Sequence, residues 1–283
     1  MGKKMKMKQP ILIFAALCGA AASAIPQSPL ITYGMIRDEY GNPLKGSAAL
    51  TLKLVKADAP DGRIYDERAV GETGYPGMNY RLSLEIDSSG PSRPYAVIEG
   101  TEMRIKFFIG GEEQPATPSP VFAVPKNGAA QRKDYSLGED LDGDGIPDAW
   151  EEWVLSIDGR PSDAAAIAAF KPGDDSDGDG MSNRQEFLAG TDPFLATDLL
   201  AITHFVKTGA GDRTEIRFTT VPGRTYRVLT AETLENPTWN PVATSRMADG
   251  ATAYETYSGT GREITLYVDA AESDSAFFRV AAQ

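Results

Sequence analysis

The sequence predicts a mainly β chain in three parts, with two antiparallel β-sandwiches flanking a small α-helical segment built on a pair of acidic loops. Charge distribution is the first reason. The 283 residues carry 28 Lys and Arg against 40 Asp and Glu, yet over residues 140–198 fifteen acids face only Arg160, Lys171 and Arg184. The flanks are nearly neutral, with 15 acids and 13 bases over residues 25–139 and 10 and 8 over residues 199–283. Second, both flanks alternate apolar and polar residues with period two, the mark of half-buried strands. Third, the acidic stretch repeats itself at a spacing of 35 residues. The expected parts are a leader at 1–24, a sandwich at 25–138, the loop segment at 139–198 and a second sandwich at 199–283.

The leader comes first. Lys3, Lys4, Lys6 and Lys8 precede an apolar run over residues 11–17 and the small residues Ala22, Ser23 and Ala24. This is the pattern of a secretory signal peptide cleaved after Ala24. The run falls short of the roughly 20 residues a membrane span requires. Cys18, the single cysteine, lies inside it, and Leu17 stands where a lipoprotein signal wants a small residue. Cleavage removes four lysines and no acids, so the formal charge moves from -12 to -16 over 259 residues. A chain so acidic, without a cationic stripe, is expected to bind no nucleic acid. No later apolar run is long enough to span a membrane either.

In the first flank, Leu50, Leu52 and Leu54 alternate with Thr51 and Lys53. Tyr80, Leu82, Leu84 and Ile86 alternate with Arg81, Ser83 and Glu85, and "RIKFFIG" at 104–110 supplies a further strand. Pro115, Pro118, Pro120 and Pro125 mark an edge strand or connector. The stretch "YGMIRDEYGNPLKGSAALTL" resembles the opening hairpin of carboxypeptidase regulatory-like and transthyretin-like modules. That resemblance implies an immunoglobulin-like sandwich and no activity. The last flank repeats the β style in "TEIRFTTV", "RTYRVLTAE", "EITLYVD" and "AFFRVAA". Trp239 and the paired Phe277 and Phe278 could form an aromatic face for a glycan or protein partner, or be core and strand-end aromatics.

The middle segment carries the chemistry. In "DLDGDGIPDAWE", counted from Asp140, carboxylates fall at positions 1, 3, 5, 9 and 12, namely Asp140, Asp142, Asp144, Asp148 and Glu151, with Gly145 at 6. The second stretch, "DSDGDGMSNRQE", places Asp175, Asp177, Asp179, Gly180, Asn183 and Glu186 at positions 1, 3, 5, 6, 9 and 12. Like charges on alternate residues repel, so either water and salt screen them in a loose loop or a cation sits among them. The spacing is that of the EF-hand calcium loop, in which alternate side chains wrap the ion and glycine at 6 permits the turn. Position 7 offers a backbone carbonyl, here from Ile146 and Met181, and position 9 commonly reaches the ion through water. Glu151 and Glu186 close the two shells. Ca2+ is the expected ion, with a Kd on the order of 10⁻⁴ to 10⁻³ M, as in extracellular modules. Mg2+ is the lesser candidate because it demands octahedral geometry and keeps its waters.

A short helix is expected after each loop. "DAWEEWVLSI" follows Pro147, with Trp150, Trp153, Val154 and Ile157 on one apolar stripe. "NRQEFLA" ends at Gly190, a suitable C-cap. Between the loops, Ser162 or Asp163 can cap a third helix in "PSDAAAIAAF". The expected core is Trp150, Trp153, Phe170, Phe187 and Leu188, too small to fold firmly without metal.

Both loops, down to the exit Gly190-Thr191-Asp192-Pro193, resemble the thrombospondin type 3 and EF-hand-like tandem repeats of secreted bacterial multidomain proteins. The resemblance implies calcium binding, an extracellular or cell-surface location and a stiffening role between β domains. The segment is also similar to dockerins, which assemble through two calcium loops. It departs from them in closing with Glu151 and Glu186, and in placing Ala149-Trp150 and Arg184-Gln185 where dockerins carry their partner-binding pairs. No enzyme is expected: beyond the leader the chain has no cysteine and one histidine, His204, which leaves Ser-His, Cys-His and zinc chemistry little to build on.

Overall fold

A computed structural model describes residues 29–46, 50–71, 73, 77–87, 95–126, 129–208, 213–253, 256–269 and 276–282. The expected leader at 1–24, with Cys18, lies outside the described residues. The protein is mainly β, with several largely antiparallel sheets and three short helices between them. No described helix is long and apolar enough to cross a membrane.

The first β region follows the alternation read from its sequence. Leu50–Lys56 pairs antiparallel with Glu102–Ile109, Leu52 standing opposite Phe107 and Leu54 opposite Ile105. All four of these side chains are buried. Their strand has Asp66–Ala69 on one side, and Glu102–Ile109 has Glu112–Gln114 and Val121–Ala123 on the other. Tyr80–Leu84 pairs with Leu30–Gly34, and its inward residues Tyr80, Leu82 and Leu84 join the same core. Two short pairings depart from the expected antiparallel pattern: Leu30–Gly34 runs parallel to Gln131–Arg132, and Ile36–Arg37 parallel to Tyr135–Leu137. The chain returns to the sheet from a long connection rather than a tight hairpin, and a return of that kind permits parallel pairing. Ala116–Thr117 lies on the other side of Tyr135–Leu137, Thr117 facing Ser136 in register. The chain leaves this strand directly into Asp140.

Among the described residues the last β region has two four-stranded sheets. One runs Ile202–Lys207, Thr214–Thr219, Glu263–Val268, Thr244–Ser245. The other is built on Thr225–Ala231, which pairs with Asn240–Pro241, Tyr257–Ser258 and Phe277–Ala282. Ile216, Phe218, Leu266 and Val268 from the first meet Tyr226, Val228 and Tyr257 from the second in one core.

Between the β regions lie α1 (Asp148–Ile157), α2 (Ala164–Ile167) and α3 (Asn183–Ala189). Asp163 caps α2, its side chain accepting from the Ala165 and Ala166 N–H groups. Ser182 and Gln185 form a reciprocal capping box on α3, and Gly190 ends it at φ 77°, a left-handed conformation that glycine adopts without penalty. The helices share a third core of Ile146, Trp150, Val154, Leu155, Phe170 and Phe187, with Leu188 and Phe194 packed against it. Trp150 is the hub, its ring 5.2 Å from Phe187 and 6.0 Å from Phe170.

One expectation is corrected here. Trp153, expected in this core, and Ile157, expected on the same apolar stripe, are 48% and 54% exposed. The buried arc of α1 is Trp150, Glu151, Val154 and Leu155. Turning Glu151 inward rotates the helix away from the stripe that its apolar residues alone would choose.

Candidate metal centre

Each acidic loop is wound by its own side chains. In the first, Asp140 accepts the N–H groups of Gly143, Asp144 and Gly145 at 2.9 to 3.1 Å. Asp144 accepts the Ile146 N–H at 3.0 Å. In the second, Asp175 accepts from Gly178 and Gly180 at 2.8 and 2.9 Å, and Asp179 from Met181 at 2.6 Å. Gly145 and Gly180 at position 6 have φ of 97° and 95°, values that few other residues adopt. The winding brings carboxylate oxygens of Asp140, Asp142 and Asp144 within 4.8 Å of one another, and does the same for Asp175, Asp177 and Asp179.

The closing glutamates come from the helices. Glu151 on α1 and Glu186 on α3 are fully buried. Among the described residues neither oxygen of Glu151 has a hydrogen-bond partner, nor do Asp144 Oδ2, Asp177 Oδ2, Asp179 Oδ2 and Glu186 Oε2. Burial is the main force pushing Glu151 up to about 9, with the charges of Asp144, Asp142, Asp148 and Asp140 adding to it. Glu186 is pushed up to about 8, again mainly by burial and then by Asp177 and Asp179, while Thr191 pulls it down. Asp144 and Asp179 are likewise raised, burial being the largest cause. An unpaired buried carboxylate is among the costliest groups a protein can hold. Two sets of them converging on two loops form a donor set of oxygens only, which suits a hard divalent cation. The carbonyl oxygens of Ile146 and Met181 accept no hydrogen bond among the described residues and remain available as ligands.

The position-nine residues brace their loops. Asp148 accepts the Leu141 N–H at 3.0 Å. Asn183 is buried, donating to the Lys171 carbonyl at 2.7 Å and accepting from Ser176 Oγ at 2.8 Å. Sequence reasoning missed several supporting groups. Thr117 donates its hydroxyl to Asp140, Thr191 donates to Glu186 Oε1 at 3.3 Å, and Lys171 pairs with Asp142 at 3.3 Å. Gly143 and Gly178 at position 4 also have positive φ, and their recurrence in "DGDG" was the one available signal. Nothing in the local sequence marks Thr117, which sheet pairing delivers from 23 residues away.

Residues 175–196 match the bacterial TSP3 repeat. TSP3 repeats bind calcium, in agreement with the oxygen donors collected here. The matched TSP3 repeat spans the second loop, α3 and the exit through Phe194, whose ring packs 5.6 Å from Phe170. It is tied to the first loop by Arg184, which donates to the Gly145 carbonyl at 3.0 Å. Among curated proteins no sequence matches the chain.

The TSP3 repeat also meets both β regions. Arg224, in the last β region, is buried and passes between two glycines. A Cβ on Gly190 would lie 2.7 Å from its Nε, and one on Gly41 would strike its Nη1. Its Nη2 donates to the Tyr40 carbonyl at 3.0 Å. Tyr226 Oη accepts the Val221 N–H at 2.7 Å and donates to the Ala189 carbonyl at the end of α3.

The other sequence candidates lie elsewhere. The Arg279 guanidinium stands 4.6 Å over the Trp239 ring, covering one face, and Phe278 packs on the last core. His204 sits on the strand Ile202–Lys207, its Nε2 3.7 Å from Glu215 Oε1.

Proposed function

We propose that the protein is a secreted, non-enzymatic structural or adhesion protein of a bacterial surface, in which two calcium ions stiffen the junction between two immunoglobulin-like β domains. The observation that carries this reading is the set of six buried carboxylate oxygens left without partners in the two loops. Neutralising them converts a destabilising feature into a folding one. Asp140, Asp142, Asp144, Glu151 and the Ile146 carbonyl would hold one ion, with Asp175, Asp177, Asp179, Glu186 and the Met181 carbonyl holding the other. Bound calcium supplies charge neutralisation and no chemistry on a substrate. Asp148 and Asn183 keep the loops wound.

The stiffening follows from what the loops touch. Thr117 links the first loop to the first β region, while Ala189 and Gly190 link the second loop to Tyr226 and Arg224 of the last. A dockerin-like assembly role is less well supported, since Trp150 is buried and Arg184 is committed to the first loop. Calorimetric titration of the mature protein should give two equivalents of calcium. Small-angle scattering should show a tighter distribution of shapes with calcium than with a chelator. A protein that binds no calcium ends the proposal, and one that binds it with no change in scattering ends the stiffening role.

A further inference from the structure

A cleft at the exit of the TSP3 repeat contains none of the calcium-ligand candidates, and shares with their support only Thr191, which donates to Glu186. It lies between the N-terminal turn at Tyr40, α1 and the exit of the second loop, and encloses about 680 Å³, within the ~300–1,000 Å³ common for ligand sites. Two of its walls are aromatic. Trp153 and Tyr40 are 48% and 40% exposed, and their rings stand 6.4 Å apart at 82°, forming an open corner. Ile157 adds apolar surface, and Asn42, Asp192 and Asp198 add polar groups.

The unused hydrogen-bonding capacity here is specific. Asp192 gives one oxygen to the Phe194 N–H at 3.0 Å, and Asp198 gives one to the Asp192 N–H at 3.1 Å. The second oxygen of each has no partner among the described residues, nor has the Tyr40 hydroxyl or the Trp153 indole N–H. The one cation in the lining, Arg224, gives Nη2 to the Tyr40 carbonyl, and its Nε and Nη1, though without partners among the described residues, are buried.

We propose that this cleft binds a neutral saccharide. A sugar ring has an apolar C–H face that an aromatic side chain covers, and hydroxyls at its rim that a carboxylate accepts strongly. Two free carboxylate oxygens with no accessible cation reject uronic and sialic acids by like-charge repulsion. A quaternary ammonium would want a closed aromatic cage, whereas these two rings leave the corner open over a much larger volume. The site lies outside the two loops, so loss of calcium and loss of sugar binding are separate readouts.

The test uses the full secreted chain in saturating calcium, titrated with cello-, xylo-, manno- and chito-hexaose and followed by saturation-transfer NMR. Oligogalacturonate and tetramethylammonium serve as comparison probes. At least one neutral hexaose should bind. Trp153→Ala should weaken that binding by about tenfold and Asp198→Asn by less, with two calcium equivalents retained. Tyr40→Leu, which keeps the backbone carbonyl that Arg224 uses, should weaken it as well, and Trp239→Ala should leave it unchanged. Absence of binding by every neutral hexaose at millimolar concentration would overturn the proposal. So would binding indifferent to Trp153 and Tyr40, or a preference for oligogalacturonate or tetramethylammonium.

Discussion

The two acidic loops share one spacing and differ in what surrounds it. In the first loop the leading carboxylate is well served: Asp140 takes three backbone N–H groups and the Thr117 hydroxyl, and Asp142 has Lys171. Its closing Glu151 has nothing. In the second loop Asp175 takes two backbone N–H groups, Asp177 as well as Asp179 keeps an orphan oxygen where only Asp144 does in the first, and Glu186 has Thr191 at 3.3 Å on one of its two oxygens. Identical ligand spacing therefore does not imply an identical apo state. The motif decides which atoms converge, and the neighbours decide how much repulsion is left when no ion is present.

The sharpest way to break this comparison is to remove each closing carboxylate. Glu151→Gln and Glu186→Gln should each abolish about one equivalent of calcium in a calorimetric titration. In calcium, each should lose the mass-action stabilisation of its site, about 2.7 kcal/mol at a hundredfold excess over Kd. In chelator the same changes should raise the melting temperature, more for Glu151→Gln because both of its oxygens are unpartnered. Equal shifts for the two variants would show that the difference between the loops has no energetic weight.

Next in size is the response to pH. Both glutamates have folded pKa values, about 9 and about 8, above the ordinary 4.5. The folded apo protein thus holds more protons than the unfolded chain between these limits, and its stability falls as pH rises through that window. Melts in chelator should therefore drop from pH 5 to pH 8. Glu151→Gln should flatten the part of the fall above pH 8. In saturating calcium the trend should vanish or reverse, since binding requires the ionised carboxylates.

Two smaller effects sharpen the picture. Thr191→Val should make the second loop resemble the first, lowering apo stability by about 1 kcal/mol in denaturant melts. Lys171→Gln removes an exposed ammonium that competes for Asp142, and should tighten calcium at the first loop a few-fold at low salt and hardly at all at high salt.

Much of this was legible in the sequence. The alternation at Leu50–Leu54 and Tyr80–Leu84 located strands whose inward residues are buried, and the 35-residue repeat located both acidic clusters, because strand pleat and loop winding are short-range geometry. The glycines at position 6 were readable for the same reason. Trp153 and Ile157 were misplaced because an apolar stripe is a guide to burial only when no polar residue must also face inward. Glu151 sits next to Trp150, so turning it inward drew Leu155 into the core in place of the two residues left exposed. Thr117 and Arg224 reach the site through long-range pairing, which no local pattern announces. The parallel pairings of the first β region are hidden for the same reason.

Arg224 has a mechanical consequence. Load applied between the two β regions crosses the junction where a guanidinium is threaded between Gly41 and Gly190 and anchored to the Tyr40 carbonyl. Such a peg would resist shear through steric interlock, and slipping would require one of the glycine-bearing turns to deform. One of those turns, at Gly190, ends the helix that presents Glu186 to the second loop. Under tension the chain should therefore yield at a force that calcium concentration sets, and a single-molecule pulling trace would record the concentration of the ion as a rupture force.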